Sequence, residues 1–360
     1  MRVLLITTDA FGGHGGIAQY NRDLVNALAV DPDITEIVAI PRNVQFALGN
    51  LPAKLQFRSE AAGGKMRFIL SALLAARGRF DLLVCGHVNL MPLAALLKQK
   101  LRAPLVMMAY GIDVWEPHHS RLVRNSLRRA DAIWSISEIT RDKLLSWSEL
   151  EAQSFVILPN AISLERYGPG PKSPRLLERY GLSGKKIIMI LCRLPAAERY
   201  KGVDEILELM PRMLVREPRL AFLVAGEGND QPRLERKADA LGIHDHVVFT
   251  GFVQEHEKVD HYRLADAFVM PGRREGFGFV ILEALACGVP VVASKIDGSR
   301  EAVRGGELGR LVNPDNPDEI EEAVFAALSD GHRVPEGLSY FSFSQFSERV
   351  LQAAHAAAGR

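Results

Sequence analysis

Short apolar runs alternate with longer amphipathic stretches along most of the chain. In the first half, apolar runs at 3–7, 36–40, 82–85, 105–109, 132–136 and 155–158 predict strands. The 3.6-residue periods at 17–29, 65–77, 90–100 and 138–147 predict helices between several of them. These strands are apolar on both faces, which places them in a parallel sheet covered by helices on each side. The run Gly168-Pro169-Gly170-Pro171-Lys172-Ser173-Pro174 then interrupts the alternation and marks a linker. Beyond it, strands are predicted at 187–191, 220–225, 247–250, 267–270 and 289–293, with helices at 203–215, 232–241, 280–287 and 318–328.

The pattern predicts an α/β protein of two doubly wound, Rossmann-like domains, 1–168 and 169–338. A final segment, 339–360, is helical over 343–359 and is expected to cross back to the first domain. A length of 360 residues exceeds what one hydrophobic core usually serves. In such sheets ligands bind beyond the carboxyl ends of the strands, so a shared site is expected in a cleft between the domains.

Composition removes several alternatives. The chain is 48% hydrophobic and 24% charged with a net charge of +1, which argues against a nucleic-acid partner. Cys85, Cys192 and Cys287 are far apart, form no CxxC pair, and read as reduced thiols in a cytoplasmic protein. The opening apolar run is too short for a signal sequence, and no segment approaches the roughly 20 residues that span a bilayer. Two basic amphipathic stretches, 65–79 and 121–129 with Arg121, Arg124, Arg128 and Arg129, are either solvated helix faces or a peripheral contact with an anionic membrane.

Candidate chemistry follows the strands. After the first comes Gly12-Gly13-His14-Gly15-Gly16 and a helix start. Such glycines let backbone N–H groups approach a phosphate or an acceptor, or they form a flexible turn. After the strand at 267–270 comes the segment 273–288, with Glu275 and Glu283 eight residues apart around a Gly276-Phe277-Gly278 turn. A helix opening near Gly278 puts Glu283 about 8 Å along its axis. A diphosphate at that helix start then has a carboxylate on either side, Glu275 toward a sugar and Glu283 toward a ribose. The bland reading is a capping acid and one exposed glutamate.

Arg193 ends the first strand of the second domain, and Lys201 opens the helix after it. Two cations there form a diphosphate clamp, each charge-assisted contact contributing on the order of 1.5–3 kcal/mol. A solvated loop is the alternative.

Together these segments resemble the retaining glycosyltransferases of family 4, which have the two-domain GT-B fold. The resemblance runs through VLLITTDAFGGHGGIAQY (3–20), CGHVNL (85–90), AYGIDVW (109–115) and VILPNAIS (156–163). It continues through CRLPAAERYKG (192–202), LVAGEGND (223–230), VVFTGFV (247–253) and PGRREGFGFVILEALACGVPVV (271–292). It implies that Arg193 and Lys201 bind a donor diphosphate, with Arg274 and Phe279 beside them. Glu275, Gly276, Phe277 and Gly278 would hold the sugar, and Glu283 the ribose. Gly13 and Gly16 would face phosphate or acceptor, and Gly251, Phe252 and Val253 the base. His14, His87, Asp113 and Asn160 are candidates on the acceptor side.

The implied reaction is a retaining hexosyl transfer from a UDP- or GDP-sugar to a glycan, lipid-linked or small-molecule acceptor, in polysaccharide or glycoconjugate synthesis. No cofactor and no divalent metal are expected. The Asp31-Pro32-Asp33 stretch reads as a solvated turn, and the pairs His118-His119 and His244-x-His246 lack further ligands at a metal-site spacing. One departure is Tyr110 in Tyr110-Gly111-Ile112-Asp113, where many members have His. Tyr110 or His87 is then the candidate for that role. The alternatives are a GT-B-fold nucleotide-sugar epimerase and a non-catalytic nucleotide-sugar-binding protein. An NAD-dependent enzyme lacks its glycine fingerprint and acid.

Overall fold

The computed structural model describes residues 1–359 and separates into two compact units. The first comprises Met1–Ala161 together with the C-terminal segment from Phe341, and the second is Ile162–Tyr340.

The first unit is built on seven strands: β1 (Arg2–Thr7), β2 (Glu36–Pro41), β3 (Leu55–Phe57), β4 (Leu82–Gly86), β5 (Leu105–Ala109), β6 (Ala132–Ser135) and β7 (Phe155–Ile157). They lie in the order β3-β2-β1-β4-β5-β6-β7, all paired parallel. Helices α1 (Gly16–Val30), α2 (Lys65–Ala75), α3 (Met91–Leu101), α4 (Arg121–Leu127) and α5 (Glu138–Leu145) connect them. β4 and β5 are buried at every position, as a sheet covered on both faces requires.

In the second unit, helix α6 (Pro174–Arg179) precedes β8 (Lys186–Leu191), followed by α7 (Val203–Arg216), β9 (Leu220–Ala225), α8 (Gln231–Ala240), β10 (Val247–Phe249) and α9 (Lys258–Leu264). β11 (Ala267–Met270), α10 (Phe279–Ala286), β12 (Val291–Ser294), α11 (Ser299–Ala302), β13 (Arg310–Val312) and α12 (Pro317–Leu328) complete it. The strands run β10-β9-β8-β11-β12-β13, again parallel throughout. The last helix, α13 (Phe343–Ala357), packs on α1 within the first unit. Tyr20 meets Phe346 edge-on with ring centroids 5.5 Å apart.

Several boundaries differ from the pattern reading. Residues 162–168 belong to the second unit, and the Pro/Gly run is fastened to it rather than loose. The Gly168 carbonyl accepts from Arg263 Nε at 2.9 Å, Lys172 pairs with Asp266 at 2.8 Å, and Pro174 occupies the first turn of α6. Proline is tolerated there because that N–H has no helical partner to lose. Strands β3 (LQF) and β13 (RLV) add to the pattern reading: each has a polar residue among its three positions, Gln56 and Arg310, so neither shows the continuous apolar run of the equally short β7 and β10. Asp31 is also not a solvated turn residue. It is buried and bonded to His355 Nε2 at 2.6 Å, so it ties α1 to α13.

Candidate functional site

Strand order reverses at one point in each sheet, between β1 and β4 in the first unit and between β8 and β11 in the second. The chains leaving two such neighbouring strands turn in opposite directions and open a crevice at their carboxyl ends. The segments after β8 and β11 carry Arg193, Lys201 and Glu275. Those after β1 and β4 carry the glycine loop and His87.

In the second unit the β8 and β11 segments meet. Gly202, at φ +97°, packs on Pro271, and a Cβ there would lie 2.8 Å from the proline ring. Only glycine allows this approach in that backbone conformation. It brings Lys201 Nζ to 2.7 Å from Glu275 Oε2, with both side chains mostly buried. Burial acts to lower the Lys201 pKa, but the Glu275 carboxylate more than offsets it and holds the ammonium above its ordinary value. Arg193 is placed differently: its side chain is 77% exposed and pairs with Glu198 at 2.6 Å. The two cations are therefore not a bare pair beside a helix start. Each is balanced by its own carboxylate, and Lys201 lies in a 3-10 turn ahead of α7.

The Glu275 loop is held from behind by a residue that carried no sequence signal. Asp297 is fully buried; its Oδ2 accepts from Glu275 N at 2.9 Å and its Oδ1 from Ser299 N at 3.0 Å. Gly298 N donates to the Glu275 carbonyl at 2.8 Å, and a Cβ on Gly298 would lie 2.1 Å from the Gly276 carbonyl oxygen. Burial raises the Asp297 carboxyl to about 6, against the lowering effect of the two N–H donors. Phe277 is in the core, while Arg274 stands over the Tyr200 ring at 5.8 Å. Gly278 caps α10 at φ +101°, and Phe279 opens that helix half-buried.

Glu283 lies along the helix as its spacing predicts, but it is not an exposed glutamate. It is buried inside α10, where Tyr262 Oη donates to Oε2 at 2.6 Å, Tyr167 Oη donates to Oε1 at 2.8 Å, and Lys258 Nζ reaches Oε1 at 3.4 Å. These partners occupy both lone pairs of Oε1 and one of Oε2, which leaves a single site on Oε2 for a further donor. Beside β9 and β10, Gly226 N donates to the Gly251 carbonyl at 3.0 Å. A Cβ on Gly226 would lie 2.0 Å from the Cys192 carbonyl oxygen, so glycine is required for β8 and β9 to leave the sheet together. Phe252 is 55% exposed at this edge, and Val253 is buried.

In the first unit Gly12 and Gly15 take φ values of +74° and +92°. Gly13 has no room for a side chain, since a Cβ would meet Asp9 Cβ at 2.9 Å, and Gly16 starts α1. His14 is exposed and stacks edge-on with Phe46 at 4.0 Å. His87 Nδ1 accepts from Asn89 N at 3.1 Å, and burial, aided by His118 and Arg42, lowers its pKa to about 4. It is a neutral imidazole at physiological pH.

Tyr110 points into the protein. Its hydroxyl donates to Asn21 Oδ1 at 2.7 Å and is buried, so it positions α1 rather than presenting a hydroxyl at the strand ends. Tyr20 and Asn21 together tie α1 to the ends of three strands. Tyr20 Oη reaches Leu158 O at 2.9 Å, and Asn21 Nδ2 reaches Asp9 O at 2.9 Å. Asp9 Oδ1, Asp113 Oδ2 and Asn160 Oδ1, each just past a strand of this sheet, are buried without a partner among the described residues. Unsatisfied buried oxygens are rare and collect where a ligand or water completes the site. Asp113 is raised by burial to about 7.

Comparison with known proteins agrees with this architecture. Residues 178–340 match the family described as glycosyl transferases group 1, and residues 14–166 match glycosyltransferase family 4. The chain is 30% identical to the GDP-mannose-dependent alpha-(1-6)-phosphatidylinositol monomannoside mannosyltransferase of Mycolicibacterium smegmatis, over 92% of this chain and 90% of that protein. The crystal structure of Anabaena HepE in complex with UDP superposes with a TM-score of 0.77 at 19% identity, covering 99% of this chain and 100% of that one. The lipopolysaccharide outer core galactosyltransferase WaaB superposes with a TM-score of 0.73 at 17% identity, covering 99% of each chain. The chain is thus a glycosyltransferase of GT-B fold and belongs to glycosyltransferase family 4.

Proposed function

We propose that the protein transfers a hexosyl group from a GDP-sugar, GDP-mannose foremost, to a glycan or lipid-linked acceptor, with retention of configuration and without a divalent metal. The observation that carries this reading is the Lys201–Glu275 pair at the strand-order reversal of the second unit. It sets a cation for a diphosphate against a carboxylate for sugar hydroxyls. The choice of donor rests on the relative in M. smegmatis, which is named as GDP-mannose-dependent.

In this reading Lys201 and Arg193 take the donor diphosphate and exchange their carboxylate partners for phosphate oxygens. Glu275 then accepts from sugar hydroxyls, and Glu283, steadied by Tyr167 and Tyr262, accepts from the ribose. The acceptor oxygen attacks the anomeric carbon on the face from which the diphosphate departs. The anomeric C–O bond to the β-phosphate breaks, and the acceptor proton passes to the departing phosphate oxygen. Cations preorganised around that oxygen stabilise its developing charge in place of a metal.

The test is thermal stabilisation by GDP, UDP, ADP, their sugars and NAD, with EDTA throughout, followed by NMR of the product linkage. A shift with GDP and GDP-mannose and an axial anomeric product from an axial donor are expected. No shift with any nucleotide, or one with NAD alone, overturns the donor site. Inverted product overturns the stereochemistry.

A further inference from the structure

The strand ends of the first unit hold a cation and an N–H donor to which the donor site gives no role. Arg42 and Asn43 follow β2, and their N–H groups donate to the Thr7 and Thr8 carbonyls at 2.9 and 2.8 Å. That fixes Arg42 against the end of β1. It is exposed, and no carboxylate or carbonyl among the described residues engages its guanidinium. His87 follows β4 on the other side of β1, and at the ordinary strand spacing β2 and β4 lie about 10 Å apart. Its Nδ1 accepts from Asn89 N at 3.1 Å, so the neutral ring carries its proton on Nε2. That Nε2–H has no partner among the described residues. The Asn89 side chain is itself held, since His118 takes the Ser120 N–H on Nδ1 at 3.0 Å and sets Nε2 at 2.7 Å from Asn89 Oδ1.

Arg42 is close enough to His87 to act on the imidazole electrostatically and helps to lower its pKa. The acids of the neighbouring strand ends do not neutralise this pair. Asp9 is set against Arg22, and Asp113 Oδ1 accepts from Tyr110 N at 3.2 Å. With His87 neutral, Arg42 leaves one positive charge without an anion. A guanidinium presents paired N–H groups that match two oxygens of one anion. The partnerless oxygens of Asp9, Asp113 and Asn160 add acceptors for hydroxyl groups just past β1, β5 and β7. A role for His87 as the cap of the turn 88–90 uses Nδ1 alone and leaves both Nε2–H and Arg42 without a purpose.

We propose that Arg42 and the Nε2–H of His87 hold a monoanionic group of the acceptor, which is therefore an acidic saccharide or polyol. A sugar carboxylate and a phosphodiester both supply that single charge and the oxygens to accept from the two donors. A dianionic phosphomonoester exceeds the one cation that the pair offers. The inference rests on the transferase reading and names the class of its acceptor. It uses no residue of the nucleotide site, so the two are tested apart.

The experiment is ligand-observed NMR titration of the full chain, with and without GDP. It compares methyl glucuronoside, the monomethyl ester of glucose 1-phosphate, glucose 1-phosphate and neutral methyl glucoside. One of the two monoanions is expected to bind at least about tenfold more tightly than the neutral glucoside, and which one does so identifies the source of the charge. Arg42→Gln should erase that preference, and Arg42→Lys should keep part of it. His87→Gln, which retains a side-chain N–H, should stay close to wild type, whereas His87→Leu should lose about tenfold. If His87→Leu lowers the melting temperature, the exposed Arg42 variants decide. Thermal stabilisation by GDP reports on the donor site alone, so its loss with the anion preference intact overturns the donor reading and not this one. Equal binding of charged and neutral ligands, preference for the dianion, no binding of any of the four, or a preference that survives Arg42→Gln overturns the proposal.

Discussion

Lys201 Nζ stands 2.7 Å from Glu275 Oε2, so the cation assigned to the donor diphosphate and the carboxylate assigned to its sugar form one mostly buried ion pair. Each holds the other ready without a ligand, and each leaves the other uncompensated when removed. Lys201→Met and Glu275→Gln should each cost about 1–3 kcal/mol of stability, discounted for partial exposure. The double variant should cost less than the sum, because the stranded charge is gone. Turnover should fall about 100- to 1000-fold in each. GDP should still stabilise Glu275→Gln but not Lys201→Met. Chemical denaturation, steady-state kinetics and thermal shift measure the three effects, and full activity in Glu275→Gln would sink the site.

Asp297 connects the same loop to pH. Its carboxyl is raised by burial to about 6 from 3.8, so the folded state binds the proton more tightly than the unfolded chain does. The stabilisation is therefore complete below about 4 and is lost as pH rises through about 6, by roughly 3 kcal/mol in total. Asp297→Asn removes that slope from the denaturation profile. It also leaves one of the Glu275 and Ser299 N–H groups without an acceptor, at about 1–3 kcal/mol. Turnover should fall while the donor KM changes little, because the loop shifts and the nucleotide contacts remain. An Asp297→Asn protein with wild-type pH dependence of stability contradicts the assignment.

Glu283 depends on two phenols. Tyr262→Phe removes the 2.6 Å bond to Oε2 and should destabilise the fold by about 1–3 kcal/mol. Under the ribose assignment, Glu283→Gln should raise the Kd for GDP and for GDP-mannose by the same factor, because both carry the ribose. Calorimetric titration of the two ligands distinguishes this from an effect on the sugar.

His87 has its pKa lowered to about 4, with burial the main cause. Its folded value lies below the unfolded one, so stability present above about 6.5 is lost as pH falls toward 4. The imidazole C2–H resonance should show no titration between pH 6 and 8. The activity profile should likewise lack a histidine limb in that range, and one that disappears in His87→Asn would reverse the conclusion.

Much of this was legible in residue order because it rests on local rules. Strands apolar on both faces, separated by helical periods, specify parallel sheets, and the glycines at 12, 15 and 278 mark positions of left-handed backbone. Arg193, Lys201 and Glu275 were legible because each follows a strand. Asp297 was not, since an Asp before Gly298 reads as a turn, and only the fold brings it behind Glu275. The resemblance makes Tyr110 a candidate for a role toward the substrate, yet its hydroxyl turns back to Asn21, 89 residues away.

What the sequence determined by itself was the alternation of elements, the family, and the set of residues that lie at strand ends. The tertiary structure decided which of them touch. Lys201 and Glu275 are 74 residues apart, and Tyr167 and Glu283 are 116 apart. Such contacts depend on which strands are neighbours and on glycines with no space for a side chain, as at Gly202 and Gly226. Periodicity reports which face of an element is buried, and it contains no term for what that face is buried against.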